Sequence, residues 1–225
     1  MRAVSNRLGI ARHQNEDFLG LKHLPIRSVI DVGANQGQFA RKISAVFPDA
    51  HIYCFEPLPE PFDTLRLWAD RQRGAVTVFN VALGDREGTA EMFFHAEHSP
   101  SSSLLRSTAA CETFYPFTKK QIPVSVAMTT LDRAFGPPFP LAPDTLIKLD
   151  VQGYEDRVIS GGENTFRHAR ACIAEVCLDI LYDKQAAFKD LVLLLVNLGY
   201  RYAGNVEQKY AKDGHVIYLD ALFVK

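Results

Sequence analysis

The chain has 225 residues, 47% of them apolar, enough for one large α/β domain with a substantial core and too few for two comfortable ones. Its 25 Lys and Arg nearly cancel 26 Asp and Glu, which removes the strong field expected of a partner for nucleic acid or an anionic membrane. Met1 to Leu21 lacks the apolar middle of a signal peptide, and the most apolar run, Leu191 to Val196, is far short of the roughly 20 residues of a membrane span; a cytoplasmic location without an integral membrane segment is expected.

Short runs rich in Val, Ile, Leu, Phe and Tyr read as strands at 28–33, 51–55 and 75–81, with helical stretches near 36–47 and 60–72. From about 84 to 144 the alternation breaks. There 88–95 and 122–128 read as extra strands, Ser99-Pro100-Ser101-Ser102-Ser103 as a small polar loop, and Gly136-Pro137-Pro138-Phe139-Pro140 as a rigid connector. Alternation resumes with strands at 145–150 and 171–178 and helices near 154–168 and 184–198; Gly199 suits a helix C-cap. Tyr200 to Ala203 and Val216 to Val224 read as two strands joined by a polar turn containing Asp213-Gly214. The pattern predicts a single α/β domain over 1–225: a mostly parallel seven-stranded sheet with helices on both faces and a C-terminal antiparallel hairpin. Residues 1–26 are an N-terminal extension, and 84–144 an insertion or lid on the cofactor side. Cys54, Cys111, Cys172 and Cys177 form no CxxC pair and are expected as buried free thiols, which fits a reducing compartment.

The most informative stretch is Asp31-Val32-Gly33-Ala34-Asn35-Gln36-Gly37, between the first strand and the first helix. Ligands of open α/β sheets bind beyond the carboxyl ends of the strands, where glycine lets the backbone approach them. The spacing is G-x-x-x-G and not the G-x-G-x-x-G that clamps a dinucleotide pyrophosphate. Asp31 would repel a phosphate but suits an ammonium group, and S-adenosylmethionine carries an ammonium and a sulfonium without phosphate. Glu56, at the end of the second strand, accepts hydrogen bonds only and can take both ribose hydroxyls. Asn80 to Asp85 is expected beside the adenine ring, although Asp85 is as well explained as a turn-shaping residue. Taken singly, each feature has a bland reading: a glycine pair for helix packing, a strand-end Glu as a solvated terminus. Their order along the chain favours the cofactor.

These residues resemble an S-adenosylmethionine-dependent methyltransferase of the FkbM family, over roughly residues 27 to 223. The matching residues are Val29 to Gly37, Phe55-Glu56-Pro57, Asn80 to Leu83, Ser101 to Leu104, Thr130-Leu131-Asp132, Glu175-Val176 and above all Ile147 to Glu155. The resemblance implies a Rossmann-like class I methyltransferase fold and O-methylation of a hydroxyl, often on a sugar of a glycan, glycolipid or glycosylated metabolite. It also implies a cofactor set of Asp31, Gly33, Ala34, Asn35, Gly37, Glu56, Pro57, Ala82, Leu83 and Asp150. Gln152 stands where many relatives carry Glu, which argues against this position as base or metal ligand.

A hydroxyl is a poor nucleophile until its proton leaves, so a base or metal is needed near the acceptor. Asp150 at the end of the fourth strand is the best placed. Glu175 lies in an apolar strand, where a carboxylate is costly without a partner, and is expected to face the acceptor or to pair with Lys148. Glu155 is the third candidate, with helix capping as its competing role. Ser102 and Ser103 are candidate substrate contacts in a lid. His95 and His98 border that lid; either could act as a base, but both read first as solvated loop residues. A Mg²⁺ held by Asp150 and Glu175 is weakly supported, and no His pair has zinc spacing. The competing functions are an NAD-dependent oxidoreductase, favoured only by Glu56 and strand order, and a catalytically silent binding module. The expected partner is a small-molecule or glycan hydroxyl acceptor, with no nucleic acid.

Overall fold

The computed structural model describes residues 20–135 and 144–225. Most of the N-terminal extension and the Gly136 to Pro140 connector lie outside these residues. In chain order the elements are β1 Ser28–Val32, α1 Gln38–Val46, β2 His51–Phe55, α2 Pro59–Ala69, β3 Val76–Phe79, β4 Ala82–Leu83, β5 Gly88–Phe94, α3 Ala109–Phe114 and β6 Ile122–Thr129. They continue with α4 Leu131–Ala134, β7 Thr145–Leu149, α5 Glu155–Ser160, α6 Glu163–His168, β8 Ala171–Cys177, α7 Phe188–Asn197, β9 Arg201–Tyr210 and β10 Val216–Val224.

Seven strands form one sheet in the order β3-β2-β1-β7-β8-β10-β9. Pairing is parallel from β3 to β8 and antiparallel around β10. Strands β7 and β8 are buried along their whole length, as expected of central parallel strands covered on both faces. The alternation within β1 shows the two layers. Ile30 joins a core with Ile147, Leu149, Phe166, Leu191 and Leu195, while Val29 joins a second with Ile43, Ile52, Leu65 and Leu146.

The irregular segment builds a second, three-stranded sheet, β4-β6-β5. Its β4 begins only three residues after β3 ends, just beyond the third predicted strand (75–81), which is realised as β3 alone. The predicted helix over 154–168 is likewise two, broken at Gly161-Gly162. A Cβ on Gly161 would stand 1.9 Å from the carbonyl oxygen of Gly84, so backbone meets backbone there. Asp132 then caps the second half, accepting from the N–H groups of Asn164 and Thr165 at 3.0 and 2.8 Å and from the Thr165 hydroxyl at 2.8 Å. The last helix begins at Phe188, later than its pattern suggested, and β9 runs to Tyr210, well past the predicted Ala203. Gly199, at φ +91°, follows that helix as expected. All four cysteines are buried free thiols.

Replacing Gly161 with Ala is expected to lower unfolding free energy by about 2–3 kcal/mol in urea titration, because backbone at that contact has no room to yield. An unchanged midpoint would show that the contact is not tight.

Candidate active site

Strand register sets the charged groups side by side before any side chain turns. Asp31 on β1 pairs with Lys148 on β7, and Glu175 on β8 pairs with Asp220 on β10. Lys148 is almost wholly buried. Its Nζ lies 3.1 Å from Asp150 Oδ2 and 3.4 Å from Asp220 Oδ1. Burial pulls the pKa of this lysine down, but Asp150, Asp220, Glu175 and Asp31 together outweigh that and raise it well above the ordinary value. The Lys148–Glu175 pair anticipated from sequence is replaced by pairs to Asp150 and Asp220.

The turn after β1 is dictated by crowding. Gly33 sits at φ +79°, and a Cβ there would fall 1.9 Å from the Asp150 carbonyl oxygen, so the ends of β1 and β7 meet backbone to backbone. The N–H groups of Gly33 and Ala34 both donate to the Phe55 carbonyl, tying the turn to the end of β2. Asn35 follows in the left-handed region at φ +46°. Its N–H donates to Glu56 Oε2 at 2.8 Å, and the Leu58 N–H donates to Glu56 Oε1 at 2.8 Å. Both carboxylate oxygens are thereby pinned, each with a lone pair left for a ribose hydroxyl.

These residues line a cavity of about 370 Å³. Asp31, Asn35 and Glu56 are among its polar lining residues. Pro57, Leu58, Ala82, Leu83, Met92 and Leu104 give one side an apolar surface suited to an aromatic base. Lys148, Asp150, Asp220 and Glu207 stand at another side. Asp31 is 1% exposed and its Oδ2 has no hydrogen-bond partner. Burial, opposed by Lys148 and reinforced by Asp150, lifts its pKa from 3.8 to about 7. Burial likewise lifts Glu56 from 4.5 to about 7, against the two backbone N–H donors. An orphaned buried carboxylate oxygen is what an incoming ammonium group would satisfy, so S-adenosylmethionine fits these residues: Asp31 for its ammonium, Glu56 for its ribose, the apolar side for its adenine.

Several expected site residues lie elsewhere. Gly37 faces the Leu65 side chain and shapes the helix entry; it does not line the cavity. Glu155 is buried, and its Oε1 accepts from the Val151 and Gly153 N–H groups at 3.1 and 3.2 Å. It organises the turn after β7 and does not line the cavity, so geometry favours the capping role over the catalytic one. Ser102 lines the cavity, whereas the Ser103 hydroxyl is buried, donating to the Gln152 carbonyl at 2.7 Å. Asp85 is exposed and paired with Arg86. His95 is no solvated loop residue: it is fully buried, with both ring nitrogens lacking a hydrogen-bond partner. Glu175 stands behind the cavity wall, joined to Asp150 through Gln152, whose Nε2 lies 2.8 Å from Asp150 Oδ1 and 2.7 Å from Glu175 Oε1. An amide donor between those two carboxylates does not fit a Mg²⁺ bound by the same oxygens. Among the described residues no group of three or more His, Cys, Asp or Glu is arranged to hold a metal ion.

Two residues escaped the sequence reading. Asp220 sits in the apolar run Val216 to Val224 and is governed by the same cost argument that singled out Glu175. Glu207 gave no signal, because β9 is longer than its pattern shows.

A family model described as the methyltransferase FkbM domain matches residues 31–202. The chain is 28% identical over 198 residues to the 2-O-methyltransferase NoeI of Sinorhizobium fredii, covering 80% of this chain and 76% of that protein. It is also 28% identical over 215 residues to the 31-O-demethyl-FK506 methyltransferase FkbM of Streptomyces tacrolimicus, covering 85% and 79%. The crystal structure of a methyltransferase FkbM from Methylobacillus flagellatus shares the fold, with TM-score 0.56 and 13% identity. That match covers 97% of this chain and 46% of the other, so the chain spans about half the length of that structure.

Binding of an ammonium needs ionised Asp31. Affinity for S-adenosylhomocysteine is therefore expected to strengthen as pH rises through about 7, roughly tenfold between pH 6 and 8 by calorimetry, and Asp31→Asn should weaken binding and flatten that dependence. The ligand-free protein should show the opposite trend. Asp31, Glu56 and Glu155 all hold their protons to about 7 when folded, whereas the unfolded chain releases them near 4, so stability falls as pH rises from about 4 to 7. Urea midpoints that climb over that range would contradict the assignment.

Proposed function

The chain belongs to the FkbM family of methyltransferases, and from that premise we propose that it is an S-adenosylmethionine-dependent O-methyltransferase acting on a hydroxyl of a sugar, in a glycan, glycolipid or glycosylated metabolite. The observation that carries this reading is the placing of Asp31, Glu56 and Asp150 on one cavity. A single site then holds a cationic methyl donor and a carboxylate able to take a proton beside it. The names of both curated relatives specify transfer to oxygen. Carboxylates and amides on the acceptor side (Asp150, Asp220 and Glu207, with Gln152 behind them) match the hydroxyl-rich surface of a sugar. A nicotinamide dinucleotide would instead bring its pyrophosphate against Asp31, and the family match removes that alternative.

S-adenosylmethionine, when bound, supplies an electrophilic methyl group on a sulfonium. The protein's part is alignment and proton transfer, since charge is consumed in the displacement and much of the acceleration comes from holding donor and acceptor in line. Asp150 is half-buried, its side chain 37% exposed, so an acceptor can reach it. The Lys148 ammonium lies 3.1 Å from it, and the Asp150 carboxylate can accept the hydroxyl proton. Gln152 and Lys148 each already bond one of its oxygens, which leaves one lone pair on each for the acceptor.

The test is transfer of a labelled methyl group from S-adenosylmethionine to a panel of methyl glycosides, chito-oligosaccharides and glycolipids. Asp150→Asn is expected to lower kcat by about 10²-fold or more while S-adenosylhomocysteine affinity stays within about threefold. Full activity in that variant, or transfer only to acceptors without a sugar hydroxyl, would overturn the proposal. Because an ammonium and an amide already occupy the carboxylates, the rate is expected to persist in EDTA.

A further inference from the structure

Asp150 and Glu175 come from adjacent parallel strands, and one atom bridges them. A primary amide nitrogen carries two hydrogens, so Gln152 Nε2 can donate to both carboxylates at once, at 2.8 and 2.7 Å. The Tyr182 hydroxyl approaches Gln152 Oε1 at 2.5 Å, and it is nearly fully buried. That hydrogen bond decides which end of the amide faces the acids. The backbone is held as well. Gln152 sits at φ +57°, and its carbonyl accepts from Ser103 Oγ at 2.7 Å. A non-glycine residue in the left-handed region costs free energy and persists only where its surroundings over-determine it.

Burial and the Asp150 charge push the Glu175 pKa well above the ordinary carboxylate range, against Lys148. A Glu175 carboxyl facing Asp150 directly could share one proton with it in a strong acid–carboxylate hydrogen bond. Asp150 would then be satisfied by its neighbour and turned from the acceptor. The amide of Gln152 prevents this by giving each acid its own N–H.

We infer that Gln152 is a positioning residue for methyl transfer: held by Tyr182, its side-chain amide keeps Asp150 and Glu175 as two separately oriented acids and aims Asp150 at the acceptor hydroxyl. The inference rests on the reading of Asp150 as proton acceptor. It also ties the acid to the Ser99 to Ser103 segment, because Ser103 Oγ donates to the Gln152 carbonyl at 2.7 Å. The charged and titratable groups around the pair are Asp31 on β1, Lys148 on β7, Cys177 on β8, Tyr218 and Asp220 on β10, Glu155 opening α5, Tyr115 after α3, and Tyr182. None of them is shown donating a hydrogen bond to both acids.

The experiment uses the full chain saturated with S-adenosylhomocysteine and follows the Glu175 carboxyl by carbon-13 NMR, assigned with Glu175→Gln. Gln152→Met should move the Glu175 titration upward by about one pH unit or more, and Tyr182→Phe should move it less, in the same direction. With an acceptor from the sugar panel, Gln152→Met should lower kcat by about 10- to 100-fold with KM for S-adenosylmethionine within about twofold. An unmoved Glu175 titration in Gln152→Met overturns the inference without any acceptor. If Asp150→Asn abolishes transfer while Gln152→Met does not, the inference falls and the reading of Asp150 stands. If Asp150→Asn is active, the reading itself falls.

Discussion

A single buried ammonium, Lys148, stands among four carboxylates drawn from three strands and one strand end: Asp31, Asp150, Glu175 and Asp220. Its side chain is almost wholly buried and pairs with a half-buried Asp150 and a more deeply placed Asp220, so loss of either partner would leave a buried charge uncompensated. The cation is what allows so much negative charge to collect at the carboxyl ends of β1, β7 and β8. Removing it would leave several buried acids unpaired, a change of the kind that costs about 3–5 kcal/mol. Five acids (Asp31, Glu56, Asp150, Glu207 and Asp220) and two lysines (Lys42 and Lys148) line the cavity, a balance that suits a cationic methyl donor once the acids ionise.

The cavity divides by chemistry. Toward β2 the acids are served by backbone: Asn35 and Leu58 pin Glu56, and the Gly33 turn is held to Phe55. These groups cannot rearrange without disturbing the sheet, which suits a cofactor that is always the same molecule. Toward β8 and β10 the acids are served by side chains, namely Lys148, Gln152 and, through it, Tyr182.

The sheet was legible in the sequence because its strands are continuous apolar runs and its helices carry an apolar stripe. The Gly33 turn and Glu56 were legible because a glycine and an acid at strand ends have few competing explanations in that order. What was hidden depends on tertiary contact. The break at Gly161 follows from an approach to Gly84, distant in sequence and without a local signal. Glu155 and Ser103 have the right residue types for chemistry but are consumed by local hydrogen bonds. Gln152, discounted as a departure from its relatives, turned out to touch both central acids, which only the fold of the β7–α5 turn reveals. Asp220 was readable by the rule that flagged Glu175, a lone acid in an apolar strand.

The central claim is that the unpartnered oxygen of Asp31 binds a positive charge on the methyl donor. Calorimetric comparison of S-adenosylhomocysteine with its deaminated analogue tests it most directly, in the wild-type protein and in Asp31→Asn. A gap in affinity of about 10²-fold in the wild type, largely closed in the variant, is the predicted result. Equal affinity of the two compounds for the wild-type protein would contradict it.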